Sequence, residues 1–593
     1  TEGFNNTFVG RGAGQANTNA DSNTFIGDIA GGSVTTGGAN IMIGHLAGQN
    51  FDTESNNLGI GKSALNGVIA GGEYNVAIGN GTLDALTSGD KNTAVGYGSG
   101  TDLTTASDFV GLGYNAGANV TSGTHNTFLG SEAGLSVTTG SRNTILGVAG
   151  WNFDTENDNV GIGYNALGGA INGGEYNVAV GNNTLDALTS GDNNTAVGYN
   201  AGTALTTGSE NSFFGYQAGL AHTTGTRVTA IGRNAYYRGD GENDNIAMGY
   251  VALGGNLSGG EFNVAIGNYS MENLTSGDNN TALGHQAGKA VTTGGYNTFV
   301  GFEAGKTYTG TGDVNTAIGV SALQAMTTGG QNTAIGGNAG YSLTTAINNV
   351  LVGHNTGDAL ILGSYNTAVG QNALGAAQGD RYNVAIGFEA LKVFNTGTSV
   401  NDTANVAVGA QAGLRVTSGS ACTLIGGEAG ANVTSGSNNT CLGNGAGTAS
   451  SPTNLTTASN RIILGNNNIT NCDIKVDWTV TSDKRDKTDV EALTMGLDFV
   501  NQLNPITYRW DMRSSYDNAT PDGTNKQPKL FAGLIAQDVE TLERAYNYKV
   551  EDETSLVTSK TEDGNYGLTY SRLIPVLINA VKELSAEIKK LKG

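Results

Sequence analysis

A five-residue phrase returns every 17 residues along most of this chain, and so short a period dictates the class of fold. Asn92-Thr93-Ala94-Val95-Gly96 comes back as Asn194-Thr195-Ala196-Val197-Gly198, Asn315-Thr316-Ala317-Ile318-Gly319 and Asn366-Thr367-Ala368-Val369-Gly370. Looser copies run from Asn6 to Arg461, 27 in all, with occasional slips of one residue. Two intervals, those before 405 and 461, are each about five residues longer. Seventeen residues cannot enclose a core of their own, so each unit must be stabilised by the units above and below it. The pattern predicts a mainly β chain, a parallel β-solenoid of about 27 coils. At about 4.8 Å per coil this is a rod of roughly 130 Å.

Counting Asn92 as position zero, plus three is large and apolar in every copy (Val9, Ile26, Val95, Phe214, Leu442), and plus one is mostly Thr, Val or Ile. These two positions share one face of a strand, and their apolar, β-branched character predicts that this face points inward. Plus four is always Gly, and plus seven is small, as in Ala30, Ala133 and Ala339, which would let two walls approach. A second phrase, such as Thr104-Thr105 or Leu86-Thr87-Ser88-Gly89-Asp90, is expected to add a short second strand closed by a tight turn. The recurring Asn reads first as turn chemistry. Stacked in register, it would instead give an amide ladder.

Composition breaks near residue 482. Of 94 Gly, 88 precede Asp483, whereas four of the five Pro follow it. Up to Ser482 there are 14 Lys and Arg against 33 Asp and Glu; from Asp483 the balance is 15 against 18. So acidic a rod repels nucleic acid and anionic membranes. Cys422, Cys441 and Cys472 make no disulfide framework, and the first two read as small core fillers. No stretch of 18 apolar residues exists, so no membrane span is expected. No cofactor or metal is expected either. The chain opens at Thr1 inside a repeat, from which an upstream anchoring segment or a baseplate-type partner is expected.

Within the repeats, Phe51-Asp52-Thr53-Glu54 returns as Phe153-Asp154-Thr155-Glu156, and Leu83-Asp84-Ala85-Leu86 as Leu185-Asp186-Ala187-Leu188. Both offsets are 102 residues, or six coils, the mark of a block duplication. Tyr236, Tyr237 and Arg238 interrupt the pattern and are expected to be exposed, and the long intervals near 393–403 and 445–459 are expected to loop out. Such aromatics and loops are the places where a host cell-surface glycan would bind. The repeats, Asn75-Val76-Ala77-Ile78-Gly79 above all, resemble the coils of trimeric autotransporter adhesin heads. That resemblance implies a left-handed β-roll and a trimer, although its usual coil is shorter.

Residues 466–482 read as a connecting strand and junction, with Asp473 to Val480 alternating, and 483–593 as a small α+β domain. In that domain 491–503 reads as an amphipathic helix, 506–510 as a strand, 513–529 as a loop and 533–540 as a strand running into a helix. Residues 570–592 read as a long helix whose Ile574, Leu577, Val581, Leu584, Ile588 and Leu591 form a coiled-coil seam. Four phrases are similar to the intramolecular chaperone of phage endosialidases and tail fibres, the S74 peptidase family. They are Ser482-Asp483-Lys484-Arg485-Asp486-Lys487, Leu503-Asn504-Pro505-Ile506-Thr507-Tyr508-Arg509-Trp510, Gly533-Leu534-Ile535-Ala536-Gln537-Asp538-Val539, and Tyr570-Ser571-Arg572-Leu573-Ile574-Pro575. The resemblance implies a homotrimer that aligns three long chains and then cuts itself off at the Ser482–Asp483 bond, with Ser482 and Lys487 as the catalytic pair. Residues five apart face opposite sides of a strand, so the pair meets only across a turn or between chains.

The leading expectation is therefore a fibre shaft of a virion tail fibre or an extracellular appendage, whose enzymology is confined to a single self-cleavage. The alternative is a surface adhesin whose rod binds host glycans. A polysaccharide-cleaving enzyme would require paired carboxylates in a cleft, whereas the acidic residues here sit mainly in Gly-Asp turns. An ice-binding Thr face is disfavoured because Thr at plus one alternates with Val and is expected to face inward.

Overall fold

The computed structural model describes residues 3–148, 154–311, 313–475, 478–513, 516, 520–561 and 564–593. The chain divides into two compact units, Thr1–Asn348 and Asn349–Gly593. Each copy of the phrase forms one three-residue strand, from Thr7–Val9 to Ile462–Leu464, and the 27 strands are parallel. Pairing follows the repeat: Val178 lies opposite Thr195 and Thr195 opposite Ser212, and in the second unit Val350 lies opposite Thr367. Two backbone features end each strand. The residue before the Asn is left-handed, as at Asn193 (φ 58°), and the Gly at plus four turns the corner, as at Gly198 (φ 138°). A Cβ on Gly198 would stand 2.3 Å from the carbonyl oxygen of Gly215 one coil on, so this column is Gly because the stack leaves no room for anything else.

The inward face is the opposite of the one expected. Plus two is buried in coil after coil, through Ala94, Phe128, Ala196, Phe213 and Leu424, while plus one and plus three face outward. The buried column is mostly Ala, with a large residue at intervals such as Phe128, Phe213 and Phe299, so the core is thin. Ala at plus seven is buried as expected at Ala30, Ala133 and Ala339. The Thr phrase does not form the expected second strand. Its backbone and hydroxyl still bond from coil to coil, Thr189 N and Oγ1 both donating to the Thr206 carbonyl (2.8 and 3.0 Å). One short extra pairing, Asp380–Arg381 with Asn401–Asp402, accommodates the longer coil before residue 405.

The amide ladder is present. Asn194 is fully buried; its side-chain nitrogen donates to the Gly208 carbonyl (2.9 Å) and to Asn177 Oδ1 (3.0 Å). Its own Oδ1 accepts from the backbone N–H of Asn211 (3.0 Å). Each Asn thus joins its coil to both neighbours. Tyr236, expected outside, is buried, with its hydroxyl donating to Glu242 (3.2 Å), while Tyr237 is half-buried under Arg238. Phe153 of the duplicated block lies outside the described residues.

In the second unit the C-terminal domain carries helices α1 (Leu497–Gln502), α2 (Ala536–Ala545) and α3 (Leu573–Lys592). It also has two antiparallel pairs, Ile506–Tyr508 with Phe531–Gly533 and Thr558–Lys560 with Tyr566–Leu568. Met495, Phe499, Val539, Val557, Leu573 and Val576 are its core. The helix expected over 491–503 shortens to α1 because Gly496 sits at its N-cap in a non-helical conformation. The strand expected over 473–480 is not formed among the described residues, and Val476 and Asp477 lie outside them. Ile474, Trp478 and Val480 are exposed.

Candidate functional site

Ser482, Asp483 and Lys487 sit on one tight turn. The short 3-10 turn Lys484–Asp486 reverses the chain, and the Lys487 N–H closes it by donating to the Lys484 carbonyl (3.3 Å). Asp483 caps it: Oδ1 accepts the Arg485 N–H (2.9 Å), and Oδ2 pairs with the Arg485 guanidinium (2.6 Å). That hydrogen-bonded guanidinium holds the Asp483 carboxyl below its usual range. The reversal brings Lys487 Nζ to 2.5 Å from Ser482 Oγ, so a pair that a strand would separate meets across a turn within one chain. Both side chains are exposed. A hydroxyl within hydrogen-bond reach of an amine is the arrangement that a base-activated nucleophile requires.

α3 packs one side on the domain. Val576 and Ala580 are buried. Asn579 Nδ2 donates to the carbonyls of Leu493 (3.2 Å) and Met495 (3.0 Å), and Glu583 accepts the Leu497 N–H (2.6 Å) at the start of α1. The other side, with Ile574, Leu577, Val581, Leu584, Ile588 and Leu591, is exposed along the helix. This is the seam read from the sequence, and among the described residues nothing covers it. Sequence reasoning missed Glu543. It is buried on α2, and its carboxylate accepts the N–H groups of Leu556 (2.9 Å), Val557 (2.7 Å) and Thr558 (3.0 Å) and the Thr558 hydroxyl. It fixes the hairpin to the core, and its only sequence signal is a carboxylate on the apolar side of a helix.

Among the described residues no group of His, Cys, Asp and Glu is placed to hold a metal, and no helix is long and apolar enough to cross a membrane. The turn carboxylates cap backbone: Asp90, Asp192 and Asp278 accept the N–H groups of Glu73, Glu175 and Glu261. Cys422 and Cys441 are free and buried, Cys472 free and exposed.

Residues 482–547 match the Peptidase S74 family model, described as the chaperone of endosialidase. Comparison with curated proteins found no match, and comparison with solved structures found none either.

Proposed function

From a β-solenoid followed by a segment matching the chaperone of endosialidase, we propose that this chain is a fibre shaft, 1–465, joined through a junction, 466–482, to a trimerising chaperone, 483–593. The observation that carries the reading is the apolar side of α3, exposed throughout one chain and spaced for helices of its own kind. Twenty-seven near-identical coils carry little information about register, and long-range pairing of this sort forms slowly and exposes edges to aggregation. A domain that associates first aligns the chains and raises their local concentration, after which the coils zip up. Cleavage between Ser482 and Asp483 then removes the aligning device and leaves a kinetically trapped shaft.

Ser482 and Lys487 are the proposed pair. Lys487 is the proposed base for the Ser482 hydroxyl, and association of copies would close water out of the pair. A Ser482 hydroxyl attacking its own carbonyl would close a four-membered ring; attack on the equivalent bond of a neighbouring copy avoids that ring, expels the Asp483 amine with the proton taken from the hydroxyl, and leaves an ester that water hydrolyses to free the shaft. Purified wild type and Ser482→Ala on a denaturing gel test this. Wild type resolves into a shaft and a C-terminal fragment of 111 residues, and the variant stays whole. A wild type that remains one species after folding removes the self-cleavage. A virion or extracellular location, with an anchoring segment or baseplate protein as partner, follows from the fibre reading. The adhesin reading draws on one observation, the exposed rings of Tyr97, Tyr114, Tyr199 and Tyr216, which a host glycan would meet.

A further inference from the structure

Most of the exposed large apolar side chains of the repeats fall in four columns flanking the strand: minus one, plus one, plus three and plus five. Plus one and plus three are never charged, and plus three is apolar in all 27 coils. Ile231, Leu283, Ile318 and Ile335 are each 38–45% exposed there. Plus five carries stacked rings, Tyr97 on Tyr114 (5.7 Å between centroids) and Tyr199 on Tyr216 (5.5 Å). Minus one carries Tyr365 on Tyr382 (5.3 Å). Several charges in the two flanking columns are paired within the chain, as Arg142 with Asp158 and Arg227 with Asp244, whereas Lys62, Lys91, Glu210 and Arg233 stand at the strip's edges.

The 20 strands of the first unit extend this strip over about 95 Å, and at about 10 Å wide it covers on the order of 1,000 Å². That exceeds the few hundred Å² of an ordinary apolar surface patch and reaches the area one partner contributes to a stable interface. The occupant must present apolar groups at the same axial repeat of about 4.8 Å over the same length, without charge. A second copy of this chain does so coil for coil. Rings stacked on one another also spend their faces, which are the surfaces a sugar would use, and leave edges outward.

We propose that the outward strand face, lined by plus one and plus three, is the seam along which the solenoids of neighbouring copies pack in the assembled fibre. The proposal rests on the trimer reading above. Each face turns towards the common axis, the aromatic columns flank the contact, and the Thr-Thr side of the coil faces solvent.

Cysteine placement in the full chain tests this, in a Cys472→Ser background where Cys422 and Cys441 are buried. Leu283→Cys and Ile231→Cys place thiols on the seam, and Ser276→Cys places one on an exposed site outside the four columns. In particles that sediment as three chains, both seam thiols should form chain-to-chain disulfides on mild oxidation. They should also react at least about tenfold more slowly than Ser276→Cys with a bulky water-soluble maleimide. Three-chain particles whose seam thiols react as fast as Ser276→Cys, without cross-linking, overturn the seam and leave the trimer standing. Particles that sediment as one chain overturn both. Two seam positions keep the test alive if either variant fails to fold.

Discussion

Asn194 makes three kinds of bond from one amide, and its removal is the most direct probe of the ladder. In Asn194→Ala the Asn211 N–H and the Gly208 carbonyl lose their buried partner, at a cost of about 2 kcal/mol or more. Hydrogen exchange should show faster opening at Asn211 than at Asn280, several coils away. Gly198→Ala is harsher, because a methyl group meets the Gly215 carbonyl at 2.3 Å in a left-handed backbone. A protease-sensitive break at that coil is expected. Glu54, Glu156 and Glu242 account for three of the slips in the repeat. Each precedes an 18-residue interval and accepts an N–H of the longer coil, from Gly71, Gly173 and Gly259. His222 is buried, and burial pushes its pKa down. The unfolded chain therefore binds the proton first as pH falls. Stability around this coil is full above the ordinary histidine value and declines below about pH 6.5 towards the folded value. Exchange at coils 13 and 14 compared at pH 8 and pH 5 should show the loss, and His222→Phe should flatten it.

For single elements, what was legible in the sequence depended on how local the cause was. The 17-residue strand spacing, the Gly corners and the helix over 570–592 follow from steric and periodic rules and stand where expected. The orientation of the strands does not follow, because apolar, β-branched residues suit either face of a strand. Thr195 and Val197 are apolar or β-branched yet outward, and Ala196 between them is the core. A strand face proposed to meet another copy carries the same apolar residues as a core. The burial of Tyr236 does not follow either, because its hydroxyl partner, Glu242, comes from a turn that periodicity does not describe. The Ser482–Lys487 approach depends on a three-residue turn and an Asp483 cap, features too short for a pattern to reveal. The Glu543 clamp supplies a prediction at this scale. Glu543→Ala should cost about 3 kcal/mol and free the Thr558–Lys560 hairpin, seen as lost exchange protection there before the rest of the domain.

Across the whole molecule, stability is a sum of coils and their contacts, so length and integrity are separable. Deleting 92–193, six coils, joins Lys91 to Asn194 in phase and restores the same phrase at the join. The shortened chain should remain soluble and assembled, and electron microscopy should show a shaft shorter by about 29 Å. Deleting an amount out of phase, such as 92–185, should abolish soluble protein. The direction of the ladder has a mechanical corollary. Bonds from the Thr195 N–H to the Asn211 carbonyl, and their equivalents, run from coil to coil, so a pull on both ends of a solenoid loads them in series. Phe109 and Val228 occupy the Asn position and offer no acceptor to the N–H groups of Asn126 and Asn245. Under tension those two levels should yield first, each paying out one coil of slack, roughly 50 Å, while the levels between them stay shut.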